Sequence, residues 1–397
     1  MKLPRPFSNH TLLHLLHAIN DGVEASYLLI LPFLALDLQL NQTQVGALGT
    51  MLVLFGALLA IPAGAISFKV GGLKSLFLSL VIYGLGLFGI GFSGNYVHLL
   101  FIFAWGGIGF GLFHPISFAL VARSSERGSR GSAMGSFTAA GELGRFAIST
   151  ILASSVVFLG WRNSAFIYGA GVLIIGAFLY RFTMRHESSL ETKPLFQEHD
   201  SFGHVVRNGR FLMATAINML DNVASQTIFL FLPFLLLYRG VDPALLGAFT
   251  GIFFVGSLFG RLYFGKLVDR FGSAWVFILS ECVMVFFIIV LAQVTLFPFI
   301  LGIAFLLGIV TKGTGPIVKT MVSESVEHQG NFEKAYGINS VGASIAAMCA
   351  PIALGMVSDA FGIVSSFYVM AFMGALAIIP GIGFMVLGRN FSSQTRT

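Results

Sequence analysis

Charged side chains are scarce in this chain. Only 10% of its 397 residues are Asp, Glu, Lys or Arg, while 56% are hydrophobic and the mean hydropathy is +0.87. Water-soluble globular proteins carry roughly 25% charged residues, so this chain cannot cover a water-facing surface. The formal net charge of +6 therefore does not predict a nucleic-acid partner. Its meaning depends on where the basic residues lie.

Cysteine is also scarce. The two cysteines, Cys282 and Cys349, lie inside apolar runs, so the sequence has no disulfide framework and no metal-binding spacing of cysteine and histidine. It also lacks a Walker-type phosphate loop and a nucleophile elbow. A membrane-embedded enzyme would need a catalytic set of this kind. We therefore expect no enzymatic activity, no metal and no other cofactor.

Long apolar runs fill most of the sequence, and runs of about 20 apolar residues are typical of membrane-spanning helices. We predict an all-α membrane protein with twelve transmembrane helices, arranged as two pseudo-symmetric six-helix bundles. The predicted spans are 10–36, 44–68, 74–92, 96–122, 132–158, 163–181, 211–238, 244–266, 274–293, 297–320, 335–357 and 363–387. The predicted domains are a bundle over 1–180, a cytoplasmic linker over 181–210 and a second bundle over 211–397.

The two halves also repeat in sequence. At an offset of 201 residues, Pro32 matches Pro233 and Gly107 matches Gly308. Parallel repeats of six helices occur in one class of secondary transporter, whose substrate site lies near the middle of the membrane.

The basic residues predict the orientation. When residues at the ends of these spans are counted with the adjoining loops, 18 of the 23 Lys and Arg residues lie on the side of the two termini. Only Arg162 and Arg239 lie on the opposite side, and the other three fall within spans. Because cytoplasmic loops carry the excess of Lys and Arg, we predict a multi-pass protein of the cytoplasmic membrane with both termini in the cytoplasm.

The sequence GKLVDRFG resembles the G-x-L-x-D-R-x-G loop motif of the major facilitator superfamily. The resemblance covers nearly the whole chain. It implies a monomer that works by alternating access, with a gating role for Gly265, Asp269, Arg270 and Gly272. In the first half, Phe68 stands where the motif has its acid.

Two shorter stretches, HAIND at 17–21 and GLFHP at 111–115, are similar to the fosmidomycin-resistance-like branch of this superfamily. That similarity implies export of a small polar or anionic compound.

The first span carries acids where lipid would favour apolar side chains. His17, Asp21 and Glu24 follow one another at intervals of four and three residues, which places them on one helix face. An acid near the bilayer centre costs about 2.5–3.5 kcal/mol on insertion scales, so it should face a cavity or a partner. Such a group can take up a proton on one side of the membrane and release it on the other. Asp21, Glu24 and His17 are therefore candidates for proton coupling.

Span 5 contains a fourth coupling candidate, Glu142, three residues before Arg145. Two arrangements are open. The pair could neutralise itself within one helix, or Arg145 could reach Asp21 or Glu24 and belong to the transport cavity. A Gly-Pro motif is often found on this helix in antiporters of the superfamily, and this sequence lacks the proline, which favours uptake over exchange.

The candidate substrate-binding residues are interior polar and charged side chains: Asp221, Asn222 and Gln226 on span 7, His114, Arg145, Arg261, and Lys312 on span 10. Lys312 suits an anionic group of the substrate, and we expect Asp221 to hold it in the empty carrier. For Arg261, a role in the nearby loop gate is an alternative as open as substrate binding.

The sequence therefore predicts a secondary active transporter for a small polar or anionic organic compound. It is coupled to protons, with export slightly favoured. The alternatives are proton-linked uptake of an organic anion or metal chelate, and a receptor derived from a transporter. The expected partners are the substrate, protons and the lipid bilayer.

Overall fold

The computed structural model describes residues 9–60, 62–124, 130–184, 207–326 and 332–394, and these residues are almost entirely helical. The helices are α1 Asn9–Leu29, α2 Leu31–Leu38, α3 Gln42–Ala60, α4 Ala63–Val70, α5 Gly72–Ile90, α6 Tyr96–Ser124, α7 Arg130–Met184, α8 Gly209–Ser225, α9 Ile228–Tyr238, α10 Leu246–Phe271, α11 Ser273–Gln293, α12 Phe297–Val326, α13 Phe332–Phe361 and α14 Ile363–Gln394. A short 3-10 turn, Pro243–Leu245, precedes α10.

Within these residues, eleven helical segments are long and apolar enough to cross a membrane. One of them, Gly135–Arg181, has 47 residues, or roughly 70 Å of helix, about twice the thickness of the hydrocarbon core. Its helix is interrupted at Gly160, whose φ of 75° and ψ of 158° are not helical. The segment therefore corresponds to two predicted spans, 132–158 and 163–181, and the prediction of an all-helical, twelve-span membrane protein is confirmed.

Besides the second span, 44–68, which is split between α3 and α4, two predicted spans that carry an interior acid are divided in the structure. The first, 10–36, is split between α1 and α2, and Pro32 lies in the first turn of α2, where its missing N–H breaks no helical hydrogen bond. The seventh, 211–238, is split between α8 and α9, with Pro233 inside α9. Both breaks follow directly after the acid-bearing helix, so the two halves share this feature.

The repeat of 201 residues also has a structural counterpart. Gly71 and Gly272 both adopt a positive φ, of 99° and 83°, between consecutive helices, a conformation that side chains with a Cβ rarely adopt. In each half a glycine also lets two helices touch. A Cβ at Gly107 would meet the carbonyl of Leu52, and a Cβ at Gly308 would meet that of Phe253.

The contacts divide the described residues into two compact units. The first contains α1 to α7 together with Asp242–Gly251, and the second contains α8, α9 and the chain from Ile252 onward. In the first unit α1 packs chiefly against α7, and α5 packs against α6 and α7. In the second, α8 packs against α12, α13 and α14, and α11 packs against α12 and α14. Residues 185–206 of the predicted linker lie outside the described residues.

Candidate functional site

Two glycines of α7 bring its backbone close to α1. A Cβ at Gly144 would overlap the backbone of Ala18, and a Cβ at Gly141 would lie 2.6 Å from Oδ2 of Asp21. Small residues at a membrane helix interface allow this kind of close approach. Arg145 follows directly after Gly144, so its side chain starts next to the polar face of α1.

Arg145 joins the two helices by ion pairs. Its Nη2 lies 2.6 Å from Oε2 of Glu24 and 3.0 Å from Oδ2 of Asp21, and its Nε donates to the same Asp21 oxygen at 3.1 Å. Glu142, on the same helix, is farther away, with Oε1 at 3.8 Å from Nε. Of the two arrangements that the sequence left open, the structure therefore has the one in which Arg145 reaches α1.

The Arg145 cluster contains three acids, Asp21, Glu24 and Glu142, around this one guanidinium. Asp21 and Glu142 are buried, and Glu24 is half-buried. With every acid ionised and the histidines neutral, three negative charges and one positive charge leave a formal charge of −2. Unbalanced charge is expensive in a site of low dielectric, so protons on these groups are a direct way to restore the balance.

His17 is aligned with Asp21 by its two ring nitrogens. Its Nδ1 lies 2.7 Å from the carbonyl oxygen of Phe137, which can only accept a hydrogen bond. Nδ1 therefore carries the proton of the neutral ring, and Nε2 faces Oδ1 of Asp21 at 3.3 Å. A neutral His17 would present a lone pair to this carboxylate, whereas a protonated His17 would donate to it. The rings of Phe113 and Phe137 stack against His17 and hold this orientation.

His114 lies in the same cluster. Its Nε2 is 3.6 Å from Oδ1 of Asp21, and its ring meets that of His17 edge to face. The two short stretches HAIND and GLFHP therefore meet in space through these three residues. His114 was predicted to bind substrate, and the structure places it beside the coupling candidates.

The ligand atoms of His17, Asp21 and His114 all lie within 4.8 Å of one another, close enough to hold a metal ion. The other oxygen of Asp21 is already paired with Arg145. The guanidinium of Arg145 repels a divalent cation and already neutralises much of the charge of this carboxylate. The cluster therefore suits a proton better than a metal.

In the second unit, the predicted polar face of α8 meets amides from the same helix and from α13. Asn222 donates to the side chain of Asn218 at 2.8 Å, and Asn218 donates to Oδ1 of Asn339 at 2.5 Å. Asn339, on α13, also lies 3.5 Å from Oγ1 of Thr215. These amides offer donors and acceptors in one row, which suits a polar substrate.

Lys312, on α12, donates to Oε1 of Gln226 at 2.7 Å and also acts electrostatically on Asp221. Asp221 is buried, and its Oδ2 accepts hydrogen bonds from Ser225 and Thr314, both at 3.2 Å. The hydrogen bond of the ammonium thus goes to Gln226, and the expected hold of Asp221 on Lys312 stays a prediction.

The residues of the predicted loop gate lie at the junction of α10 and α11. Gly272 supplies the positive φ described above, and a Cβ at Gly265 would meet open space. Asp269 and Arg270 are exposed, and the guanidinium of Arg270 lies 5.1 Å from the ring of Phe271. Arg261, nine residues before Arg270, acts electrostatically on Lys319 of α12. Their gating roles stay predictions.

Sequence reasoning missed Asn218, Asn339 and Thr314 as members of these clusters. Asn339 carried a usable signal, because it is a polar amide inside the apolar span 335–357. Thr314 carried none, since a threonine can satisfy its hydroxyl with a backbone carbonyl of its own helix, and the carbonyl of Thr311 lies 3.1 Å from this hydroxyl as an alternative acceptor to Asp221.

The chain matches the family model described as Major Facilitator Superfamily over residues 13–235 and again over 211–396. It is 23% identical over 387 residues to a putative metabolite transport protein of Haemophilus influenzae, covering 91% of this chain and 94% of that protein. It is 24% identical to a probable nitrate transporter, NarT, of Staphylococcus haemolyticus, covering 88% and 89%. A solved bacterial homologue of the human lysosomal transporter Spinster has a similar fold, with a TM-score of 0.76 at 15% identity and 96% of each chain covered.

Proposed function

The chain belongs to the major facilitator superfamily, and on that premise we propose that it moves a small polar or anionic organic compound across the cytoplasmic membrane, driven by protons. Members of this family are transporters and not enzymes, and the chain is a multi-pass membrane protein. We propose further that it works by alternating access, as a monomer, with both termini in the cytoplasm.

The observation that carries the proton coupling is the position of Arg145 between Asp21 and Glu24. A guanidinium that serves two carboxylates holds both only while both are ionised. A proton on either acid weakens its hold on α7, so protonation changes the contact between two helices. The cluster therefore links proton uptake to helix packing, which a coupled carrier requires.

His17 supplies a route to that cluster. Its Nε2 faces Oδ1 of Asp21 at 3.3 Å, and a histidine ring can take a proton on one nitrogen while the other nitrogen keeps its own. A proton that arrives on Nε2 can be passed to Oδ1 of Asp21 without any movement of the ring. We propose that His17 and Asp21 take up the proton. The loss of charge on Asp21 then changes the ion pairs that Arg145 forms with Glu24 and Glu142.

The substrate class is inferred from the second unit. Lys312 offers a cation that is hydrogen-bonded to a neutral amide, and the row Asn218, Asn222 and Asn339 offers polar donors and acceptors. A fixed cation beside amides suits a small compound with one anionic group and several polar atoms. The relative NarT is named for nitrate, a small anion, which agrees with this inference.

Export is the direction implied by the stretches HAIND and GLFHP. Uptake is the second candidate, because α7 lacks the proline found in many exchangers of the superfamily. The two candidates make opposite predictions for an imposed gradient, so one experiment separates them.

The test is transport by the purified full-length protein in proteoliposomes under an imposed pH gradient, with a panel of small organic anions, nitrate and neutral polar compounds. We expect at least one anion to move against its own gradient, and to stop when a protonophore collapses the pH difference. Movement toward the acidic side indicates exchange with protons, and movement with the protons indicates uptake. Transport of panel anions that is indifferent to the pH gradient would contradict the proposal.

A further inference from the structure

Two acids of the second unit come together away from the Arg145 cluster. Asp221 of α8 is 3% exposed and Glu281 of α11 is 0% exposed. Their carboxyl groups lie close enough to interact by charge and to share a hydrogen bond. Two carboxylates cannot hydrogen-bond to each other, because both groups would only accept. A hydrogen bond between the two acids therefore requires a proton on one of them.

The surroundings of the two acids supply too few donors for two carboxylates. Oδ2 of Asp221 accepts from Ser225 and Thr314. Oδ1 of Asp221 and both oxygens of Glu281 are buried and find no donor among the described residues. Lys312 acts on Asp221 by charge, and its hydrogen bond goes to Gln226.

The groups around the pair also indicate which acid holds the proton. Lys312 of α12 acts on Asp221 from a distance, and Thr314 of the same helix donates to it. Glu281 interacts by charge with Asp221 and the neighbouring Cys282, while α14 presents Gly374, where a Cβ would lie 3.2 Å from Oε2 of Glu281. The donors and the cation therefore favour a charged Asp221 and leave Glu281 as the neutral acid.

We propose that Glu281 is a protonated acid whose O–H donates to Oδ1 of the Asp221 carboxylate, so that the two residues form a proton-binding site in the second unit. The single proton removes the repulsion between the acids and satisfies an orphan acceptor on Asp221. It also leaves the pair with one negative charge against the one positive charge of Lys312. A buried carboxyl–carboxylate hydrogen bond of this kind is strong because one partner is charged.

The site has a consequence for Lys312. While Glu281 holds the proton, the Asp221 carboxylate has three donors, and Lys312 is left to Gln226. Loss of the proton would place a second negative charge beside Asp221 and draw Lys312 toward the pair. The proton on Glu281 thus weakens the attraction of the acid pair for Lys312.

The experiment is infrared difference spectroscopy of the full-length protein in lipid nanodiscs near neutral pH, which needs no substrate and is independent of the transport proposal. A protonated carboxylic acid has a carbonyl stretch that a carboxylate lacks. We expect the parent protein to show this band and Glu281→Gln to lose one such component. Glu324→Gln is the matched control, since Glu324 of the same unit bonds to Ser273 and pairs with Arg210, and it should keep the band.

Asp221→Asn provides a second variant, which keeps Glu281 and removes the carboxylate that Glu281 is proposed to bond to. Here the band of Glu281 should persist and shift, because an amide is a weaker acceptor than a carboxylate. A band that is unchanged in Glu281→Gln, or that is absent from the parent protein, overturns the proposal. A band that neither shifts nor weakens in Asp221→Asn overturns the hydrogen bond between the two acids.

Discussion

At the scale of single residues, Asp21 has the most contacts in the Arg145 cluster. Oδ2 is held by Arg145, while Oδ1 accepts from Asn20 at 3.0 Å and faces both His17 and His114. One oxygen is thus tied to the helix contact and the other to the histidines through which a proton can arrive. A change in the protonation of Asp21 therefore alters both its ion pair with Arg145 and its contacts with the two histidines.

We expect Asp21→Asn to abolish accumulation driven by a pH gradient while substrate exchange without a gradient remains measurable. The amide keeps the shape of the side chain but cannot load a proton. Asp37→Asn is the matched control, because Asp37 is a half-exposed acid paired with Arg162 at 3.0 Å outside the cluster. Accumulation in Asp21→Asn at the parental level would remove Asp21 from the coupling mechanism.

Lys312 is the residue that tests the substrate class. We expect Lys312→Gln to raise the apparent substrate constant by tenfold or more, which corresponds to about 1.4 kcal/mol or more of binding free energy. Lys312→Arg should keep part of the affinity, since its charge remains but its planar fork binds with a different geometry. Lys266→Gln is the control, because Lys266 is exposed at the end of α10. Equal constants for Lys312→Gln and Lys266→Gln would exclude an anion site at Lys312.

At the scale of helices, the contact between α1 and α7 depends on Gly144. A Cβ there overlaps backbone and not a flexible side-chain end, so the two helices must separate. Overpacking of this kind costs about 1–3 kcal/mol. We expect Gly144→Ala to lower the apparent unfolding temperature in detergent and to impair coupled transport.

Gly171→Ala on the same helix is the control for this prediction, because a Cβ at Gly171 would meet nothing within 4 Å. Its unfolding temperature should match or exceed that of the parent, since alanine favours a helix more than glycine does. Equal unfolding temperatures for the two variants would show that α1 and α7 do not need the close approach.

The ion pairs between these helices can be tested by rescue. Arg145→Gln should be destabilising by roughly 3–5 kcal/mol, since it leaves buried acids without their cation. A second change, Asp21→Asn, should restore part of the lost stability, and Glu142→Gln should restore less, because Glu142 lies 3.8 Å from Arg145. Thermal unfolding of the two double variants measures the difference. Better rescue by Glu142→Gln would mean that Arg145 pairs mainly within its own helix.

The helices were predictable from the sequence, but their contacts were not. Bilayer thickness fixes the length of an apolar run, so α5, Gly72–Ile90, and α11, Ser273–Gln293, agree closely with the predicted spans 74–92 and 274–293. Helical spacing likewise placed His17, Asp21 and Glu24 on one face. The partner of Arg145 depends on how closely α1 approaches α7, and the spacing of residues along one helix does not predict the distance between two helices.

The second unit illustrates the same limit. Asp221 and Glu281 were visible as interior acids, but they lie 60 positions apart on two different helices, and no spacing in the sequence places them side by side. Asn339 and Thr314 look like ordinary polar residues of their spans until α8 is placed between α12 and α13. Sequence alone therefore predicted which residues are chemically unusual and left open which of them act together.

At the scale of the whole molecule, the two units share a repeat but differ in chemistry. The first unit holds acids around Arg145 with histidines beside them, and the second holds amides, Lys312 and a carboxyl pair. The matching glycines, Gly71 with Gly272 and Gly107 with Gly308, show that the backbone design is common to both. We propose that the first unit carries the coupling proton and that the second binds the substrate, so each function depends on different side chains of one repeated scaffold.

The most direct measurement of this central claim is proton movement driven by substrate alone. Proteoliposomes with the full-length protein and an internal pH indicator are given a steep gradient of a transported anion and no initial pH difference. We predict that the internal pH changes in the parent protein and in Asp37→Asn, and stays constant in Asp21→Asn while substrate still crosses. Substrate flux in the parent protein with no change of internal pH would contradict the account.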